Sequence, residues 1–293
     1  MKRILLSALL TAASLPAFAL NILLANDDGW DAPGIQSAYR VLSEAGHQVT
    51  MVAPLKNQSG KGGAMNTRVG SYVAVVRQGD GMWSVDGSPT DAVRAGLQVI
   101  LKDNPPDVVI SGSNFGQNLG RGGAHHSGTI NAALQAAFLG VPAIAISVGV
   151  ELGEHAAEPH PFPSTLATFD PAARLLVSVL AQLEAAAAPS LLPQGVALNI
   201  NLPAGWDPAR GLRLAPLSAA SSVDMHWEIG DRPFGEDGGE LRIGFATGGE
   251  PSPGDDISLF NQGYATVTPI DGSADIWLPV PGLAAALGYR PAP

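Results

Sequence analysis

Two rhythms of apolar residues alternate along this chain. Unbroken apolar runs, the pattern of strands buried on both faces of a parallel sheet, occur at Ile22-Leu23-Leu24-Ala25 and within 48–53, 107–110, 141–147 and 196–201. Between them, apolar residues recur at helical spacing. Residues 33–45 form the first such stretch, with Pro33 suited to an opening turn and Gly46 to a stop. Residues 88–101 form the next, with Pro89 and Asp91 placed for a first turn. A third covers 129–139 up to Gly140, and Asp170-Pro171 is expected to cap a fourth that runs to about Ala188. Short pieces at 72–76 and 83–85 read as a hairpin over Gln78-Gly79-Asp80-Gly81. Strands and helices in strict alternation predict an α/β fold, a doubly wound, mostly parallel sheet with right-handed crossovers.

After Pro203 the rhythm changes. Proline, glycine and charge increase, and short strand-like pieces replace helices at 212–214, 225–229 and 241–245. Residues 231–239 link the last two as a long β-hairpin, and 264–269 reads as a late strand returning to the main body. The chain therefore divides into a leader at 1–19, an α/β catalytic core at 20–203 and a C-terminal extension at 204–293 that carries the hairpin.

The leader has the form of a secretory signal peptide. Lys2 and Arg3 are followed by a short apolar stretch and an A-x-A site, Ala17-Phe18-Ala19. Export to a periplasm or the medium is the expectation, with no membrane attachment after cleavage. The formal charge is −10, and −12 without Lys2 and Arg3. That balance argues against binding long nucleic acids, which needs a basic surface. The chain has no cysteine, so neither disulfides nor thiolate metal sites are used.

Chemistry concentrates where strands end. Asn26-Asp27-Asp28-Gly29 closes the first apolar run just before a helix, at the sheet edge where open α/β folds place ligands. Adjacent carboxylates repel unless a cation or a shared proton offsets their charge. The pair fits a hard divalent metal with oxygen ligands, or else a solvated Asp-Gly turn with a helix cap. Two more polar loops follow other strands of the same sheet, 57–63 with Ser59 and 111–120 with Asn114. Their convergence with Asp27 and Asp28 favours the metal.

These strings together resemble the survival protein SurE family. The resemblance rests on Asn21 to Gly29 with Ala32-Pro33-Gly34-Ile35, on Ala53-Pro54 with Asn57-Gln58-Ser59-Gly60, and on Gly87-Ser88-Pro89-Thr90-Asp91. It continues through Ser111-Gly112-Ser113-Asn114, Asn118-Leu119-Gly120, Ser127-Gly128-Thr129, Gly263-Tyr264 and Thr268-Pro269. It covers most of 21–270, densely in the first half and thinly after Pro203. The resemblance implies a Rossmann-like core and a metal-dependent phosphomonoesterase acting on nucleoside 5′- or 3′-monophosphates. It implies a homodimer or homotetramer formed through the C-terminal hairpin. It implies Asp27, Asp28, Ser59 and Asn114 as ligands of Mg2+ or Mn2+, with Ca2+ also suited to the oxygen set. Asp27 and Asn114 would also serve catalysis, and Asn26, Gly60, Ser127, Gly128 and Thr129 would bind substrate. Ser127-Gly128-Thr129 opens a helix, whose N–H groups suit an anion; a plain N-cap is the compatible alternative.

Two departures from the family stand out. Members carry acidic residues after Asn-Leu-Gly and usually a tyrosine before Ser-Gly-Thr. Here the stretch is Gly120-Arg121-Gly122-Gly123-Ala124-His125-His126, one residue longer. His126 becomes a candidate proton donor in catalysis, with a plain loop residue as the alternative. Some members also have a histidine beyond Thr-Pro, which 268–275 lacks. An exported protein that binds a phosphorylated or other anionic ligand without turnover is therefore the alternative function. A dinucleotide enzyme is set aside, because no G-x-G-x-x-G follows the first strand.

Overall fold

The computed structural model of the chain describes residues 19–157, 161–186 and 190–272. The leader up to residue 18 and the extension beyond residue 272 lie outside the described residues. Eleven strands and six α-helices are laid out as β1 (Asn21–Ala25), α1 (Pro33–Glu44), β2 (Gln48–Pro54), β3 (Val75–Gly79), β4 (Met82–Val85), α2 (Pro89–Ala95), β5 (Val108–Phe115), α3 (Gly120–His126), α4 (Gly128–Phe138), β6 (Ala143–Val148), α5 (Pro163–Ala186), β7 (Ala197–Leu202), β8 (Leu212–Leu214), β9 (Ser221–Ile229), β10 (Leu241–Gly248), α6 (Asp256–Asn261) and β11 (Ala265–Ile270). Nine strands form one sheet in the order β3-β4-β2-β1-β5-β6-β7-β11-β8. The β4-β2-β1-β5-β6-β7 stretch is parallel, as the alternating pattern requires. β3 and β11 join antiparallel to β4 and β7. The order turns at β1, so the loops after β1 and β5 open onto one crevice.

The apolar runs fill both sides of the sheet. Ile22 and Leu24 of β1 face α1 and α5, where Ile35, Leu42, Phe169 and Leu176 complete one core layer. Leu23 and Ala25 face the other way, onto α2 and α4, where Val93, Ile130, Ala133 and Ala137 complete the second. α4 is rich in alanine on this side, which lets its backbone lie close to the sheet. α5 has the length and mean hydropathy, 1.3, of a helix able to cross a membrane. Its apolar stripe is instead spent on the first core layer.

Several boundaries differ from expectation, each for a physical reason. α5 begins at Pro163, seven residues before Asp170, so Pro171 lies inside the helix. Asp170 does not cap it: its carboxylate bonds Ser37 and Arg40 of α1 across the packing interface. The start is satisfied by Glu154, which accepts the N–H and hydroxyl of Ser164. The expected end near Ala188 lies outside the described residues. The helix from Ser88 relaxes into a π-turn at Gly96–Ile100. β5 runs on to Phe115 through residues read as loop, with an irregular register between Ser111 and Asn114. The stretch that follows, expected as loop, forms α3, a helix that its three glycines give no reason to expect. β3 starts only at Val75, and α6 was not foreseen.

The expected hairpin is β9–β10, a separate two-stranded antiparallel sheet. Val223, Met225, Trp227 and Ile229 alternate along β9, and Leu241 and Ile243 pair with the last two of them. All six are exposed, with Met225 at 69% and Trp227 at 65%. Glu228 joins His226 and Arg242 nearby.

Candidate active site

Asn26 shapes the turn at the end of β1. It is fully buried, its Nδ2 donates to the Gly29 carbonyl at 2.7 Å, and its Oδ1 accepts the Gly29 N–H at 3.3 Å. Both ends of the amide are thereby committed to presenting the two residues between them, Asp27 and Asp28.

Asp27 lies against the start of α4. The Thr129 hydroxyl donates to its Oδ1 at 2.6 Å, and the Thr129 backbone N–H also supports the carboxylate. A Cβ on Gly128 would come within 2.7 Å of the Asp27 Cβ, so only glycine lets the helix approach this closely. The placement at a helix N-terminus favours negative charge. Burial nevertheless dominates and pushes the Asp27 carboxyl above its ordinary range. Asp28 accepts the Phe115 N–H on Oδ2 at 2.9 Å and meets Asn57 Nδ2 at 3.4 Å. Burial, and then the charge of Asp27, push it up to about 7. Among the described residues no ion pair reaches either carboxylate.

The other two strand-end loops close on this pair. The Gln58 N–H donates to the Asp27 carbonyl at 2.7 Å, drawing the 57–63 loop over the turn. Ser59 and Gly60 are exposed on that loop, and a Cβ on Gly60 would meet nothing within 4 Å. Asn114 precedes the residue whose N–H holds Asp28. Its Nδ2 is spent on the Gly116 carbonyl at 2.8 Å, which leaves oxygen as the end suited to a cation. A buried and a half-buried carboxylate, both with raised proton affinity and no cationic side chain against them, fit a hard divalent ion. The neighbouring Asn114 amide and Ser59 hydroxyl add only oxygen donors.

Ser127 is the N-cap of α4, its Oγ accepting the Ile130 N–H at 3.0 Å. Its hydroxyl thus serves the cap. His125 and His126 end α3 directly before it, both exposed and stacked edge to face with ring centroids 5.1 Å apart. The Gly62 N–H donates to the His126 carbonyl at 3.1 Å, tying the 57–63 loop to α3. The structure thus joins Asp27, Gly128 and Thr129 by direct contact, and it holds Asp28 on the Phe115 N–H, next to Asn114. Ser59, Gly60 and His126 stand on segments anchored over the same edge.

One organiser escaped the sequence reading. Asn118 Nδ2 donates to Ser147 Oγ at 2.9 Å and reaches Thr129 Oγ1 at 3.4 Å. Its N–H donates to Asn201 Oδ1 at 2.7 Å, and its carbonyl accepts from Asn199 and Asn201. The signal was available: Ser147, Asn199 and Asn201 interrupt strands that are otherwise apolar. Buried polar groups in such strands require partners.

With this geometry established, the comparisons with known proteins agree. Residues 22–224 match the family described as survival protein SurE. A 5′-nucleotidase SurE of Fervidobacterium nodosum is 36% identical over 256 residues, covering 86% of this chain and 91% of that protein. A 5′-nucleotidase SurE of Stenotrophomonas maltophilia is 33% identical over 258 residues, covering 86% and 89%. The crystal structure of SurE protein from Aquifex aeolicus shares the fold with a TM-score of 0.72, at 24% identity over 91% of this chain and 99% of that one. The chain belongs to the survival protein SurE family.

Proposed function

We propose that this chain is a metal-dependent phosphomonoesterase that hydrolyses nucleoside monophosphates, with Mg2+ or Mn2+ as its ion. The observation that carries the reading is the pair of adjacent carboxylates without a cationic partner: Asp27, buried against the first turn of α4, and Asp28, half-buried beside it on the Phe115 N–H. The family is metal-dependent, and the relatives named above are called 5′-nucleotidases. A binding protein without turnover is not favoured.

Asp27, Asp28, Asn114 and Ser59 would hold the ion. When bound, it supplies positive charge against the phosphoryl oxygens of the substrate. The chain's own residues do the rest. Thr129 and the Phe115 N–H orient the two carboxylates. The first turn of α4 gives a positive dipole end to the phosphate side. A water forms the new bond to phosphorus as the bond to the ester oxygen breaks. His126, at the open end of α3, is the proposed donor of the proton that the leaving alkoxide takes up. The products are nucleoside and inorganic phosphate.

Two further parts of the reading concern the whole molecule. Export is proposed from the leader, and N-terminal sequencing of protein from the native host should begin at or near Leu20. Association of two or four copies is proposed through β9–β10, whose apolar face is exposed in the single chain. The test of function is a phosphate-release panel over nucleoside monophosphates, sugar phosphates and polyphosphate. Nucleoside monophosphates should lead it, a chelator should abolish release, and added Mg2+ or Mn2+ should restore it. Release that survives complete chelation would overturn the reading.

A further inference from the structure

One buried carboxylate outside the site has no share in the chemistry above. Asp256, the first residue of α6, is fully buried. Its Oδ2 accepts the Gly120 N–H at 2.8 Å, while its Oδ1 accepts those of Ser218 at 2.8 Å and Ile257 at 2.9 Å. Its own N–H donates to the Pro216 carbonyl at 3.0 Å, and the Arg121 N–H donates to the Ser218 carbonyl at 2.9 Å. Leu119, Ala220, Ile257 and Phe260 close an apolar patch around this joint. Gly120 has φ of +68°, and a Cβ there would strike the Ala220 carbonyl at 2.5 Å.

The joint grips the start of α3 between α6 and the base of the hairpin. The opposite end of α3 is gripped by Gly62 through the His126 carbonyl. The sequence between, Gly-Arg-Gly-Gly-Ala-His-His, contains three glycines in seven residues and would not hold a helix by itself. Its helical form, and the place where it sets His125 and His126, therefore depend on the two anchors. A carboxylate with two oxygens is what allows one side chain to take three N–H groups from three segments.

We infer that Asp256 is a positioning residue, whose carboxylate fixes Gly120 and so holds α3 as the leaving-group wall of the site. The inference rests on the proposed reading of α3 as facing the leaving group. Asp256→Asn separates this role from general support. Its one oxygen can keep Ser218 and Ile257, but its NH2 would oppose the Gly120 N–H.

The test compares Asp256→Asn with the parent chain on a nucleoside monophosphate and on p-nitrophenyl phosphate, together with Tm and amide hydrogen exchange. The expected result is a folded variant whose kcat on the nucleoside monophosphate falls roughly tenfold or more, with the aryl phosphate much less affected. Exchange should quicken in 119–126 and stay unchanged in β5 and α4. Unchanged exchange with unchanged selectivity overturns the inference. So does an equal loss on both substrates that follows a drop in Tm, because support of the fold alone would explain it. If the parent chain leaves nucleoside monophosphates intact, the functional reading fails, and exchange alone decides the joint: quickening confined to 119–126 upholds it, and no change overturns it. Should Asp256→Asn not fold, Gly120→Ala strains the same joint from the other side. The same substrate-selective loss supports the inference, and unchanged selectivity overturns it.

Discussion

The turn after β1 and the β9–β10 hairpin treat unfavourable groups in opposite ways. At the turn, two adjacent carboxylates, one buried and one half-buried, have no counter-charge against them and are held by the Phe115 N–H and the Thr129 hydroxyl. On the hairpin, apolar side chains are left in solvent with no packed layer over them. Each is costly in an isolated chain. The first cost is what a bound cation would offset, and the second is what another protein surface would offset. The core between them, with both sheet faces covered, carries neither cost. On the proposed reading, the two regions are where the chain meets something else, an ion at one and a second copy at the other.

The strongest way to break this contrast is at the turn. Asp28→Asn should lower phosphate release by roughly 10²-fold or more while leaving Tm equal or higher, because a buried like-charge contact is removed. Full activity with bound metal retained would sink the assignment. Next comes the wall beside the turn. His126→Ala should slow hydrolysis of nucleoside monophosphates by about 10²-fold, the usual size of a general-acid effect, and an activated aryl phosphate much less. Equal, small losses on both substrates would make the imidazole a bystander.

The hairpin should respond in the opposite sense. Met225→Lys with Trp227→Lys should reduce the mass seen by sedimentation while Tm of the core and turnover per chain stay within about twofold of the parent. An unchanged mass would remove the apolar face as the contact between copies. The smallest effect is expected at the α1–α5 contact, where neither kind of cost arises. The Ser37 hydrogen bond first, and then the hydrogen bond and charge of Arg40, hold the half-exposed Asp170 below its ordinary value of 3.8. Its contribution is therefore complete above about pH 4 and fades as pH falls through the lowered folded value. Asp170→Asn should cost no more than about 4 °C in Tm at pH 7, and the difference from the parent should shrink in acid. A difference that grows in acid would contradict this sign.

Much of the fold is legible in the sequence, and what is not has a common cause. The strands β1, β2, β5, β6 and β7 are read from their apolar runs because burial on both faces leaves little freedom of composition. Asp27 and Asp28 stand out because adjacent carboxylates at a strand end have few uses. α3 was hidden because its helicity comes from Asp256 and Gly62, far away in sequence, against its own propensity. The true start of α5 is masked in the sequence because Asp170-Pro171 has the composition of a cap. The residue that satisfies the actual start, Glu154, belongs to another segment. Asn118 was visible within a motif, but its partners on β6 and β7 appear only once the sheet is assembled.

The Gly120 clasp has a consequence for the order of synthesis. Its acceptor on Asp256 lies 136 residues further along the chain, and the acceptor of the Asn118 N–H lies 83 residues further. A growing chain that has emerged only as far as α4 carries Asp27 and Asp28 yet cannot clasp the start of α3 beside them. Closure waits for α6, and contacts so distant in sequence are the slow ones to form. Chains that stop short of α6 should accordingly leave α3 unclasped, so that on the proposed reading competence waits on the arrival of Asp256.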